Sequence, residues 1–367
     1  MLVKTIVFRV DASIEMGAGH VMRCLTLADE LSQNGHKCTF ISRRQPGSLI
    51  NLVKERGYSV HELPECEESE GNHLTHGHWL KGGQEKDVQE SLNVLEKLAP
   101  DPDWLVIDHY GIDKFWEQRA RNQVKNILVI DDLADREHDC DFLIDQNLGQ
   151  TDDIYYALVP EECQILTGCH YALLRPEFAD CRELSLEYRK GKTQIDRVLI
   201  SMGGVDKDNY TEKVLTALAS SGLSDRTEVT VVLGKQAPWL TEVKAQAINS
   251  RLNVRVLSNV SNMAELMSQS DLAIGAAGST SWERCCLGLP TLMCVLAENQ
   301  QGIAEALETH EAAMVLSQSD ISTSLGEKVA ILYEQPERLS LMSDCASHLV
   351  DGRGAQRVAQ SIFKGVE

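Results

Sequence analysis

Short apolar runs alternate with amphipathic stretches along most of the chain, and this alternation predicts an α/β fold with parallel sheets. In the first half the runs fall at residues 5–10, 38–42, 59–62, 104–108, 126–131 and 142–145. Helical spacing lies between them, over 22–31, 48–56, 87–98 and 113–123. A second series begins after Arg189, with runs at 197–201, 228–233, 254–257, 271–275 and 291–295 and helical patterns at 210–219 and 279–287. Continuous apolar triplets such as Val198-Leu199-Ile200 and Val231-Val232-Leu233 fit strands buried on both faces. The last two helical patterns, 336–350 and 354–364, have no strand after them. Two doubly wound, Rossmann-like domains follow, over residues 1–185 and 186–350. The segment 351–367 is a helix that is a candidate to cross back to the first domain. The linker is expected within the charged stretch from Tyr171 to Lys192. Pro64 to Gly83, rich in glycine, histidine and glutamate, reads as a surface loop near the site.

Paired doubly wound sheets are expected to face a central cleft with their carboxyl ends, where ligands of open α/β sheets bind. The first run enters Asp11-Ala-Ser-Ile-Glu-Met-Gly-Ala-Gly-His-Val-Met-Arg23. Gly17, Ala18 and Gly19 allow close backbone approach to a ligand, and the helix start offers N–H donors at its positive dipole end. A dinucleotide fingerprint would need a third glycine where Met22 stands. His20 sits at the helix mouth, placed for acid–base work on something held by the loop; the alternative is a tight turn with an incidental histidine. Another run ends in Asp108-His109-Tyr110-Gly111, where Tyr110 either lines the cleft or keeps its hydroxyl in water, and Asp108 either faces the site or caps the next helix. Asp131-Asp132 reads as capping before metal binding. In the second half, Gly203 and Gly204 follow a strand and open a helix, and Gly278-Ser279-Thr280 opens another with Glu283 one turn in. Those amides and hydroxyls suit a diphosphate, and the carboxylate suits a ribose diol; helix capping is the plainer reading, and both hold together. Asn299 and Gln300 end the next strand with amides suited to sugar hydroxyls or N-acetyl groups.

Composition narrows the partners. With 367 residues and a formal net charge of −20, the chain has no global field for nucleic acid or an anionic membrane, so an anionic ligand must be held locally. Eleven scattered cysteines without a Cys-x-x-Cys pair, and an N-terminal run interrupted by Arg9, point to a reduced cytoplasm. His73, His76 and His78 suggest zinc, but without a fourth ligand they read as solvated; no metal and no cofactor is expected.

Taken together, Gly17-Ala18-Gly19-His20-Val21-Met22-Arg23, Val106-Ile107-Asp108-His109-Tyr110-Gly111, Ile130-Asp131-Asp132, the stretch Tyr171 to Phe178, Ser201 to Asp206 and Glu298-Asn299-Gln300 resemble the PseG family. These nucleotide-sugar hydrolases of pseudaminic acid biosynthesis belong to the GT-B superfamily and are related to MurG. The resemblance implies metal-independent, inverting hydrolysis of UDP-2,4-diacetamido-2,4,6-trideoxy-β-L-altropyranose by C–O cleavage. It makes His20 the catalytic histidine, Tyr110 and Asn299 active-site residues, and the second glycine loop with Glu283 the UDP site. Asp11 is then the candidate to orient the imidazole. Two competing readings are a transferase with a separate acceptor, and a binding protein without turnover. Oligomeric state and the final glycan acceptor stay open.

Overall fold

The structure, a computed structural model, describes residues 2–66, 73–98, 101–235, 237–317 and 319–364. The chain begins β1 (Thr5–Val10), α1 (Gly19–Gln33), β2 (Lys37–Arg43), α2 (Ile50–Glu55), β3 (Ser59–Leu63), α3 (Gly83–Leu95), β4 (Trp104–Asp108), α4 (Lys114–Ala120). Then come β5 (Asn126–Ile130), β6 (Phe142–Asp145), β7 (Gln164–Thr167) and α5 (Pro176–Arg189). The second series is β8 (Arg197–Ser201), α6 (Tyr210–Ser220), β9 (Glu228–Leu233), α7 (Leu240–Ile248), β10 (Asn253–Ser258), α8 (Met263–Ser268), β11 (Leu272–Ala276) and α9 (Thr280–Cys286). It closes with β12 (Thr291–Cys294), α10 (Gln301–Thr309), β13 (Ala313–Leu316), α11 (Ile321–Glu334), α12 (Glu337–Leu349) and α13 (Gly354–Lys364).

Both sheets are wholly parallel. The first runs β3-β2-β1-β4-β5-β6-β7 and the second β10-β9-β8-β11-β12-β13. Strand order therefore reverses between β1 and β4 in one and between β8 and β11 in the other, the positions where doubly wound sheets open a crevice at their carboxyl ends. β7 and β13 are outer strands of four residues that the hydrophobic pattern had not signalled.

Two compact units divide the chain: Met1–Leu173 with Arg353–Glu367, and Leu174–Gly352. The expected boundary at 185/186 falls inside α5, which packs on α8, α9 and α12 of the second unit. Pro176 opens that helix at a position where its missing N–H costs nothing; Asp180, Glu183 and Glu187 of the presumed linker lie on the helix's outer face, while Arg189 is buried against the carbonyls of Met267 and Ser270. α13 packs on α1 of the first unit, laying Val358, Ala359 and Ile362 against the face of the sheet that carries Ile6, Phe8 and Val10. The opposite face, with Val7, is covered by Val88, Leu95 and Trp116 of α3 and α4. No helix among the described residues is long and apolar enough to cross a membrane.

That second face also buries charge. Arg9 follows the same pleat as Asp11, and its guanidinium holds Asp11 at 2.7 and 2.9 Å and Asp87 at 3.0 and 2.5 Å. Arg43 adds a 2.7 Å bond to Asp87, and the indole N–H of Trp116 donates to the same carboxylate at 3.0 Å. Arg9, Asp11, Arg43 and Asp87 are all solvent-inaccessible. Burial disfavours the Asp87 charge, but Arg9 and Arg43 outweigh it and bring the carboxyl down to about 2.

Candidate active site

In the first unit the chemistry gathers where β1 and β4 end. After β1 the chain makes a loop in which Gly17 has a φ of +75° and donates its N–H to the Ser13 carbonyl at 2.9 Å. Ala18 caps α1, and Gly19 and His20 form its first turn. His20 is thereby delivered to Asp108, the last residue of β4: its Nδ1 lies 2.6 Å from Asp108 Oδ1. Arg23, one turn along α1, clamps the same carboxylate with two bonds of 2.6 Å and reaches Asp132 at 2.9 Å. Asp108 is fully buried, which opposes its charge, yet Arg23 and then His20 hold its carboxyl well below the ordinary range. An ionised carboxylate accepts only, so Nδ1 of His20 carries a proton toward Asp108, and in the neutral ring Nε2 is the acceptor. Tyr110 sets its ring across that of His20, centroids 4.6 Å apart at 83°, and donates its hydroxyl to Asp132. Burial, then the Asp132 charge, raises the Tyr110 pKa well above the phenol value.

The structure corrects one expectation here. Asp11 does not orient His20; it is occupied by Arg9, by the backbone N–H of Arg43 at 2.7 Å and, at 3.5 Å, by His109. His109 in turn accepts the Gly111 N–H on Nδ1 at 2.9 Å, and burial, outweighing Asp11, lowers its pKa to about 4. The helix-capping alternative for Asp108 falls as well, because Asp113 caps α4 itself, accepting from Phe115 N at 2.9 Å. Gln84 and Asp87, noted near the loop, serve structure: Gln84 accepts the Asp113 N–H at 3.3 Å, and Asp87 belongs to the buried ion network. Arg23 was within the sequence motifs but unassigned, and Asp132, read there as a cap, instead accepts from Arg23 and Tyr110; the i, i+3 spacing of His20 and Arg23 was the available signal.

Behind Asp132, the buried Asp145 ends β6 beside Asp131. Tyr155 donates to it at 3.1 Å and Asn147 N–H at 2.8 Å. Burial, reinforced by the Asp132 and Asp131 charges, pushes its pKa up to about 7. Folding therefore resists ionisation of Asp145. Stability attributable to it is whole below about pH 4, falls as pH rises to about 7 and then stays low, a change of about 4 kcal/mol. Chemical denaturation of Asp145→Asn against the parent chain from pH 4 to 8 should show this decline only in the parent; equal slopes would refute it.

In the second unit, Gly203 (φ +95°) and Gly204 follow β8, and Asp206 closes that loop by capping α6, accepting from Tyr210 and Thr211 N–H groups at 2.8 and 2.9 Å. Gly278 and Ser279 lead from β11 into α9, whose first residue is Thr280. Ser279 makes no side-chain cap. Glu283 lies one turn in, largely enclosed, 3.5 Å from Arg175. Burial raises its pKa to about 7 against the pull of Arg175 and Arg284. Gln300 accepts the Leu296 N–H at 3.0 Å, leaving its amide nitrogen toward Gly278. Asn299 stands exposed on the short helical turn Glu298–Gln300. Among the described residues no group of three or more histidine, cysteine or acidic side chains is arranged to hold a metal ion.

Residues 197–361 match the profile of the glycosyltransferase family 28 C-terminal domain. The crystal structure of Acinetobacter baumannii MurG superposes with a TM-score of 0.71 at 16% identity, covering 98% of this chain and 99% of that one. The fold is GT-B. Sequence relatives extend across the GT-B chain. The Campylobacter jejuni UDP-2,4-diacetamido-2,4,6-trideoxy-β-L-altropyranose hydrolase is 26% identical over 82% of this chain and 94% of its own. The Bacillus subtilis spore coat polysaccharide biosynthesis protein SpsG is 25% identical over 95% and 94%. The uncharacterised protein MJ1062 of Methanocaldococcus jannaschii is 27% identical over 79% of this chain, which spans about half (55%) of that protein's length.

Proposed function

We propose that this GT-B protein is an enzyme acting on a UDP-sugar, and that it hydrolyses UDP-2,4-diacetamido-2,4,6-trideoxy-β-L-altropyranose to UDP and the free sugar in pseudaminic acid biosynthesis. The observation that carries the reading is the Asp108–His20 pair, which leaves a basic imidazole nitrogen at the sheet's switch point. The similarity to the Campylobacter hydrolase along nearly its whole length supports the choice of substrate. In this reading Nε2 of His20 takes a proton from water as the oxygen bonds to the anomeric carbon. The C–O bond to UDP breaks with its electron pair on the diphosphate, and the centre inverts. UDP is a good leaving group, so its departure needs charge stabilisation more than a proton. The amides and hydroxyls of Gly278, Ser279 and Thr280 are assigned the diphosphate, with Gly203 and Gly204 beside them. Glu283 is assigned the ribose diol, and Asn299 and Gln300 the polar groups of the substrate. Gly17, Ala18 and Gly19 place His20.

The family 28 profile and the MurG likeness favour a second reading, transfer of the sugar to an acceptor. A time course with the UDP-sugar, chelator and no acceptor, followed by NMR, separates the two. Release of UDP with free sugar is expected. An intact substrate that is consumed only when an acceptor is added overturns hydrolysis.

A further inference from the structure

The turn that carries His76 and Trp79 belongs to a polar stretch, yet it is firmly seated. Backbone bonds Gly77 N to Leu74 O (2.8 Å), Trp79 N to His76 O (3.0 Å) and Gly83 N to Leu80 O (3.0 Å) close it. Leu80 is fully buried in the cluster that holds Val88, Ile107 and Ile112. Its seat requires a glycine at 111: a Cβ there would stand 2.8 Å from Leu80 Cβ and 3.1 Å from the His109 ring. Loop and strand end are thus built to touch.

What this close fit presents is a group of rings. Trp79 lies nearly parallel to Tyr110 (5.7 Å, 24°), His76 packs on Trp79 (4.5 Å, 30°) and on Tyr110 (5.5 Å), and His20 stands edge-on to Trp79 at 6.2 Å. Tyr110 is buried, but His76 and Trp79 are only half-buried. Among the described residues neither the Trp79 indole N–H nor a His76 ring nitrogen has a hydrogen-bond partner. A tryptophan that serves packing alone hides its ring and satisfies its N–H. Here the indole donor and the part of the ring left uncovered by Tyr110 and His76 remain available beside the imidazole that acts on the anomeric carbon.

We propose that Trp79 and His76, backed by Tyr110, form the sugar subsite and select a pyranose bearing methyl groups, such as a 6-deoxy, N-acetylated ring, over a fully hydroxylated one. The inference rests on the UDP-sugar reading above. Aromatic faces attract the apolar faces of a ligand, while the free N–H groups take its acetamido oxygens. Removing such a ring costs roughly 10–100-fold in apparent affinity.

The test uses the full chain, Trp79→Phe and Trp79→Ala, with thermal melting and UDP calorimetry as controls for folding. Indole emission is followed on adding 2-acetamido-2,6-dideoxygalactose or galactose; the chain has five tryptophans, so Trp79→Phe isolates the one that matters. The acetamido-deoxy sugar is expected to change the emission of the parent and not of Trp79→Phe, and galactose to change neither. With the UDP-sugar, Trp79→Ala should raise KM at least tenfold while UDP affinity holds. No response in the parent, the same response in Trp79→Phe, or an unaltered KM in Trp79→Ala overturns the subsite. A specific emission change in a parent that releases no UDP overturns hydrolysis and leaves the subsite standing.

Discussion

Replacing His20 by alanine is expected to lower turnover of the UDP-sugar by about 10²–10⁴-fold while leaving UDP affinity unchanged, because the base is lost and the residues assigned to UDP lie in the other unit. Asp108→Asn should fall nearly as far for a different reason. Its volume is kept, but an amide can present N–H to Nδ1 and favour the tautomer whose Nε2 carries a proton. Asparagine also strands the Arg23 guanidinium, which donates two of its bonds to the Asp108 carboxylate. The measurement is kcat by NMR with UDP calorimetry alongside. A His20→Ala chain that retains more than a tenth of the parent rate removes His20 from the chemistry.

The largest effect on stability is expected at Asp87. Among the described residues, asparagine or alanine there leaves the buried Arg9 with the Asp11 carboxylate alone and the buried Arg43 with only that of the partly exposed Glu90. Breaking one side of a buried network costs about 3–5 kcal/mol. In a unit of this size that lowers Tm by roughly 6–20 °C. The direction with pH is also set. Because the folded carboxyl titrates at about 2, below the ordinary 3.8, its contribution is complete above about pH 4 and disappears as pH falls through 2. Melting curves of Asp87→Asn should therefore differ most from the parent above pH 4 and converge with it in strong acid. A gap that stays constant across that range would deny the carboxylate its role.

The parallel sheets were legible because strands buried on both faces leave continuous apolar runs, and the ends of β1, β4, β8 and β11 were legible as glycine and acid after such runs. β7 and β13 are both outer strands, and β7 carries only two apolar residues, Ile165 and Leu166, neither of them fully buried, so it leaves no continuous apolar run. The partner of His20 was harder. Asp11 and Asp108 both end neighbouring strands, and Val10 pairs with Asp108, so Asp11 lies one residue beyond the register. Period two was the missing constraint: Arg9 and Asp11 share a face, and a buried arginine there claims the carboxylate. Trp79 and His76 gave no periodic signal at all, since one short turn inside a polar stretch has neither a 2- nor a 3.6-residue pattern.

Because α13 covers the β1 face of the first unit, that unit is not contiguous in the chain. On the ribosome the seven strands of its sheet emerge first, and the whole of Leu174–Gly352 must be made before Val358, Ala359 and Ile362 arrive. At roughly 5–20 residues per second the delay is on the order of ten to forty seconds. Through that interval the nascent sheet and α1 expose an apolar strip that chaperones and neighbouring chains can bind. The arrival of α13 is what withdraws it.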